Sequence, residues 1–227
     1  MPDILKTLSS IPGAAVLIGL LIAAAMLVVL VNWRLLILAL GVQYVMIGLM
    51  LTRVVPLELA AVKALVGVMI CPVLYITARR VQWGQRPESE EDEEVAEEPQ
   101  PSRLARLISP GLPVRVIVAV LALAVSIGLS LRNPLSITGD QSLSRDLTIA
   151  TFSVILLGLL NAAMAENPLK VGLGLLSIMA GFELFYTTVE PTLTIVGLLG
   201  LTNLILALAI AYLTTASSAT HSGETPQ

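Results

Sequence analysis

Seven stretches of this chain are each close to 20 residues long and apolar almost throughout. About 20 apolar residues, rising 1.5 Å each in a helix, cross the roughly 30 Å hydrocarbon core of a bilayer. Within that core every backbone N–H and C=O must find its partner inside the protein, so only helices and closed barrels cross it. The stretches lie at 13–31, 35–52, 57–78, 113–131, 147–166, 170–188 and 192–214. None shows the strict alternation over about ten residues that marks an outer-membrane barrel strand. Of the 227 residues, 56% are hydrophobic and 13% charged, against about 25% charged in soluble domains. The expected fold class is all-α, a polytopic membrane protein with about seven transmembrane helices. The first run follows Lys6, exceeds the 7–15 residues of a signal-peptide core, and lacks a small-x-small cleavage site, so it reads as a membrane helix.

The formal net charge of −3 conceals an uneven distribution. Eight of the 16 acids crowd between Glu88 and Glu98, which leaves 13 basic and eight acidic residues elsewhere, a balance of +5 (13 − 8). The segment 79–112, which contains GQRPESEEDEEVAEEPQPSRLARL, is too charged and too poor in aromatics to fold alone. It reads as a disordered, solvated tether or, more sharply, as an acidic patch for a basic partner. RLARLI at its end has the character of a short interfacial segment, and 215–227 reads as a polar tail. Basic residues favour cytoplasmic loops. Arg34, Arg79, Arg80, Arg86, Arg103, Arg106, Arg115 and Lys170 fall on one side, and Lys6, Arg53, Arg132 and Arg145 on the other. This places the N-terminus outside and the linker and C-terminus in the cytoplasm of a cell whose inner (plasma) membrane the chain crosses. No basic stripe points to nucleic acid.

A shift of 135 residues aligns Asn32 with Asn167, Thr52 with Thr187, Val54 with Val189 and Pro56 with Pro191 without a gap, together with several leucines. Matching turn residues carry more weight than matching leucines, and the pattern reads as an internal repeat. The first unit is then 1–78 and the second 132–214, joined through the linker and a connecting helix at 113–131.

Polar groups inside the apolar runs are the candidates for function. Lys63 falls about two turns into the third run, where an ammonium costs roughly 2.5–3.5 kcal/mol on insertion scales. Either a partner or water supports it, or its long stem snorkels outward. Glu58, five residues earlier, suits the first turn of the same helix as an interfacial anchor. Glu183 lies near the end of the sixth run, and so short a side chain must face a neighbouring helix or water. Gln43 and Tyr44, midway along the second run, fit hydrogen bonding between helices, as packing or as function. Pro72 stands inside the third run, where a kink is expected. A single cysteine (Cys71) excludes an internal disulfide and a cysteine-ligated cluster, and a single histidine (His221) excludes bis-histidine haem. The glycines of GLGLLSIMAG belong to a membrane helix, not to a phosphate loop, and no nucleophile–base constellation is present. No catalytic residue, metal site or cofactor is expected in this chain.

Two stretches resemble component E of hydrogenase-4 and its formate hydrogenlyase relatives, which belong with the small NuoK-like membrane proteins of complex I and of the Mrp antiporters. The first is WRLLILALGVQYVMIGLML through VKALVGVMICPVLYITARRV, with a mid-helix glutamine, the lysine and the later proline. The second is LLGLLNAAMAENPLKVGLGLLSIMAGFELF, with its Asn-x-Leu-Lys turn entering a glycine-bearing helix. Together they cover about half the chain. The resemblance implies two three-helix units joined by a further helix, packed beside antiporter-like subunits of a redox-driven proton or sodium pump. It makes Lys63 and Glu183 titrating members of the path, with Gln43 and Tyr44 as relay or hydrogen-bonding partners. The chain departs from the family pattern at two places. Gln43 stands where the complex I member carries a glutamate, and Met179 and Ala180 stand where component E has one, with Glu183 a turn away on the same helix face. Two other classes compete with a membrane-arm subunit: an autonomous secondary cation or proton transporter, and a purely structural scaffold subunit.

Overall fold

The computed structural model describes residues 13–81, 112–132, 141–165 and 167–222. Among them are seven α-helices and no strand: α1 Gly13–Val29, α2 Trp33–Leu51, α3 Leu57–Arg80, α4 Leu112–Arg132, α5 Gln141–Ala163, α6 Pro168–Val189 and α7 Leu193–Ser222. Six are long and apolar enough to cross a membrane, and α1 is a shorter apolar helix of 17 residues. The chain is an all-α polytopic membrane protein. The acidic run, the segment RLARLI and the chain after Ser222 lie outside the described residues.

Two helices exceed their expected bounds by more than a turn, the others by at most two residues. α5 begins at Gln141, not at 147, and so takes Arg145 and Asp146 into its opening turns. Charges end an apolar run without ending a helix. The Arg53 guanidinium and the Asp146 carboxylate both come close to the N-terminus of α1: a Cβ on Gly13 would lie 2.8 Å from Arg53 Nη1 and 3.6 Å from Asp146 Oδ2. α7 continues two turns into the expected tail, to Ser222. Along the way Thr215 Oγ1 donates to the carbonyls of Ala211 and Tyr212, and Ser217 Oγ to that of Thr214. α3 runs on through Pro72 as one helix.

The turns follow their sequence signals. Asn32 and Asn167 are the residues before α2 and α6, and both hold extended backbone there. Asn32 Oδ1 accepts from Arg34 N at 3.2 Å, whereas the Asn167 side chain makes no cap bond and Pro168 fills the first helical position. Pro56 and Pro191 fall in the turns that lead into α3 and α7.

The helices form two layers. α1, α2 and α3 pack in sequence, as do α5, α6 and α7, and each of the first three lies against its counterpart in the second set: α1 on α5, α2 on α6, α3 on α7. α4 covers α5 and α1 at one side. The register between layers stays close to the 135-residue shift. Gln43 hydrogen-bonds Ser177, where the shift names Ile178, and Val66 faces Gly200, where it names Leu201. Small residues set the closest crossing. A Cβ on Gly174 would stand 2.6 Å from the Ala162 nitrogen, and one on Gly158 would stand 2.9 Å from the Ile178 nitrogen. α5 and α6 therefore meet backbone to backbone, the contact that drives association where lipid removes the hydrophobic incentive.

Candidate functional site

Lys63 follows the first residue of α3 by six positions, and Glu183 precedes the last residue of α6 by six. α3 and α6 run in opposite directions, so both groups stand about 9 Å from the same end of the bundle. There they form an ion pair between the layers, with Lys63 3% exposed and Glu183 fully buried. The lysine does not snorkel; the carboxylate of the opposite layer holds it in the interior.

Two further helices complete the surroundings. Asn203, on α7, donates through Nδ2 to Tyr44 Oη at 2.8 Å and to Glu183 Oε2 at 3.4 Å. Tyr44, on α2, is buried, and its ring lies against Gly67 of α3, where a Cβ would approach ring carbons within 2.4 and 2.5 Å. Glycine is required at 67 for Tyr44 to reach Asn203. One position before Tyr44, Gln43 Nε2 donates to Ser177 Oγ at 2.9 Å, and that hydroxyl donates to the Val154 carbonyl at 3.4 Å. The structure thus gathers four of the five residues singled out in the sequence, with Lys63, Glu183 and Tyr44 in one cluster and Gln43 beside it. Glu58 stands apart: it is exposed on the first turn of α3 and does not reach the cluster.

Asn203, Ser177 and Thr187 are buried members that the sequence reading overlooked. An amide in the middle of the last apolar run was the available signal for Asn203. The two hydroxyls gave none, because serine and threonine commonly bond their own helix in membranes. With them α6 carries a polar series on its buried side: Lys170, Ser177, Glu183 and Thr187. The series covers about 26 Å of helix, close to the thickness of the hydrocarbon core. At the Lys170 end, Asn161 Nδ2 donates to the Lys170 carbonyl at 3.4 Å. Several buried acceptors in this region have no protein donor, namely Glu183 Oε1, Gln43 Oε1, Asn203 Oδ1 and Thr187 Oγ1. Buried polar atoms are ordinarily hydrogen-bonded, to protein or to ordered water.

The chemistry open to this cluster is proton exchange. A lysine and a glutamate in contact can stand as two ions or, after one proton passes between them, as amine and acid. A further proton gained or lost leaves a lone buried charge, which is strongly unfavourable in a low dielectric. Among the described residues, no three His, Cys, Asp or Glu side chains gather to hold a metal ion.

Fold and site together define a class: a two-layer helical membrane protein with a charge pair and a hydrogen-bonded polar cluster between its layers. Compared with protein-family models, curated proteins and solved structures, the chain finds no match.

Proposed function

We propose that this chain is a non-catalytic membrane subunit of a complex I-like or group 4 hydrogenase-like oxidoreductase, in which it contributes to a proton or cation path. The observation that carries the reading is the buried Lys63–Glu183 pair with Asn203 and Tyr44 around it. A structural core has no need of this pair, since apolar residues of similar volume stabilise as well or better. The polar series along α6 and the acceptors without protein donors give that pair neighbours through which protons can pass. The resemblance of α2–α3 and α6 to component E supplies the assembly: antiporter-like membrane subunits packed beside two three-helix units. In this reading the chain crosses the plasma membrane seven times, its N-terminus outside and its acidic linker and C-terminus in the cytoplasm.

The test is proton or cation movement coupled to electron transfer in membrane vesicles that carry the assembled complex. Lys63→Met and Glu183→Gln are expected to lower coupled ion movement at least tenfold while electron transfer by the peripheral subunits persists. Unchanged coupling in both variants would reduce the chain to a scaffold. Ion transport by the purified chain alone, in liposomes, would instead make it an autonomous transporter.

A further inference from the structure

The opposite face of the α2–α3 hairpin, turned away from the ion pair, holds an apolar groove of about 770 Å³. Its walls include Leu38 and Val42 from α2 and Val68 and Pro72 from α3; Gly41 lies over Cys71 at its floor. Leu38 is 63% exposed and Val42 39%, so substitutions there reach the groove without entering the core. The groove is polar at one end only. Arg34 lines that end, its guanidinium carbon 5.2 Å from the centre of the Trp33 ring, and Trp33 packs against Tyr75 with ring centres 5.5 Å apart. One turn beyond Tyr75 come Arg79 and Arg80, both exposed in the last turn of α3. α2 contains no acid, and the single acid of α3, Glu58, stands at its far end. Three guanidinium groups therefore share one end of the hairpin with no carboxylate on either helix to neutralise them.

We infer that this groove is a binding site for an anionic phospholipid, with one acyl chain along α2 and α3 and the phosphate on Arg34 and Arg79. Length supports this occupant. From Arg34 to Met46, the limits of the groove on α2, the helix rises about 18 Å, a little over half of the roughly 30 Å hydrocarbon core, the depth of one leaflet. The paired aromatics lie at the arginine end, as interfacial Trp and Tyr do at headgroup level. Basic pockets between membrane helices select acidic headgroups. A transmembrane helix of a partner would call for a groove running the full thickness, and would leave the arginines unmatched. The acidic run from Glu88 to Glu98 has the charge, but its only aliphatic side chains are Val95 and Ala96, too few to fill such a groove.

The protein, extracted with any associated subunits and depleted of lipid, is given phosphatidylglycerol or phosphatidylcholine in mixed micelles, and retained lipid is counted by native mass spectrometry. Phosphatidylglycerol is expected to be retained preferentially, with affinity about fivefold lower in Arg34→Gln and lower again in Arg34→Gln/Arg79→Gln, at roughly 1 kcal/mol per basic residue. Leu38→Trp, which fills the groove from its exposed side, is expected to abolish the preference while leaving the unfolding temperature unchanged. A photoactivatable phosphatidylglycerol is expected to label peptides of α2 and α3. Equal retention of the two lipids, or a preference that survives both Arg34→Gln and Leu38→Trp, would overturn the site. A crosslinker at position 38 that captures another protein helix or the 88–98 segment would overturn it as well.

Discussion

Removing two charges from water to a membrane interior is strongly unfavourable, and Lys63 and Glu183 offset that only by meeting each other, with Asn203 adding a donor to the carboxylate. Either charge alone is therefore worse than none. Lys63→Met and Glu183→Leu are each expected to destabilise the bundle by about 3–5 kcal/mol, because each strands the other's charge. The double variant is expected to recover most of that loss, and unfolding in detergent across the four proteins gives the coupling as a double-mutant cycle. Additive losses would show that the two groups are solvated independently. Each charge was legible in the sequence, since an ionised residue in an apolar run is conspicuous. Their partnership was not, because it depends on which helices are neighbours and at what depth. Glu58 shows the same limit from the other direction: near Lys63 in sequence, it lies on an exposed first turn, outside the cluster.

At the scale of elements, Asn32 and Asn167 occupy equivalent turns and do different work. Asn32 caps α2 through its side chain, whereas α6 starts from Pro168, whose fixed φ and missing N–H already suit a first helical position. Asn32→Ala is expected to lower stability by about 1 kcal/mol, and Asn167→Ala by a few tenths at most, measured as shifts in unfolding midpoint. Equal effects would mean that the Asn32 bond contributes nothing. Turns of this kind were readable, since Asn and Pro punctuate apolar runs whatever surrounds them. The helix ends that escaped were those where polarity and helicity part company. Arg145 and Asp146 sit inside α5, and the Thr215–Ser217 stretch continues α7 by bonding its own backbone. Hydropathy locates where a helix leaves lipid, not where it unwinds.

For the whole molecule, the placing of each helix beside its counterpart in the other layer was not legible from a linear repeat, which fixes which elements correspond but not how the two sets pack. The layers lie side by side in nearly the same register, so the two charges at the site come from non-equivalent positions, one from each layer. Orientation then decides which aqueous phase the site is nearest. The Lys63–Glu183 pair lies about 9 Å from the end of the bundle that holds the turn between α2 and α3. In the orientation proposed above, with the basic-rich loops in the cytoplasm, the pair would lie toward the outer face. Single cysteines introduced in a Cys71→Ala background, at Ser89 in the acidic run and at Asn133 between α4 and α5, report the arrangement in intact cells. A membrane-impermeant maleimide is expected to label position 133 and to reach position 89 only after the membrane is opened. The reverse pattern would place the pair near the cytoplasmic face.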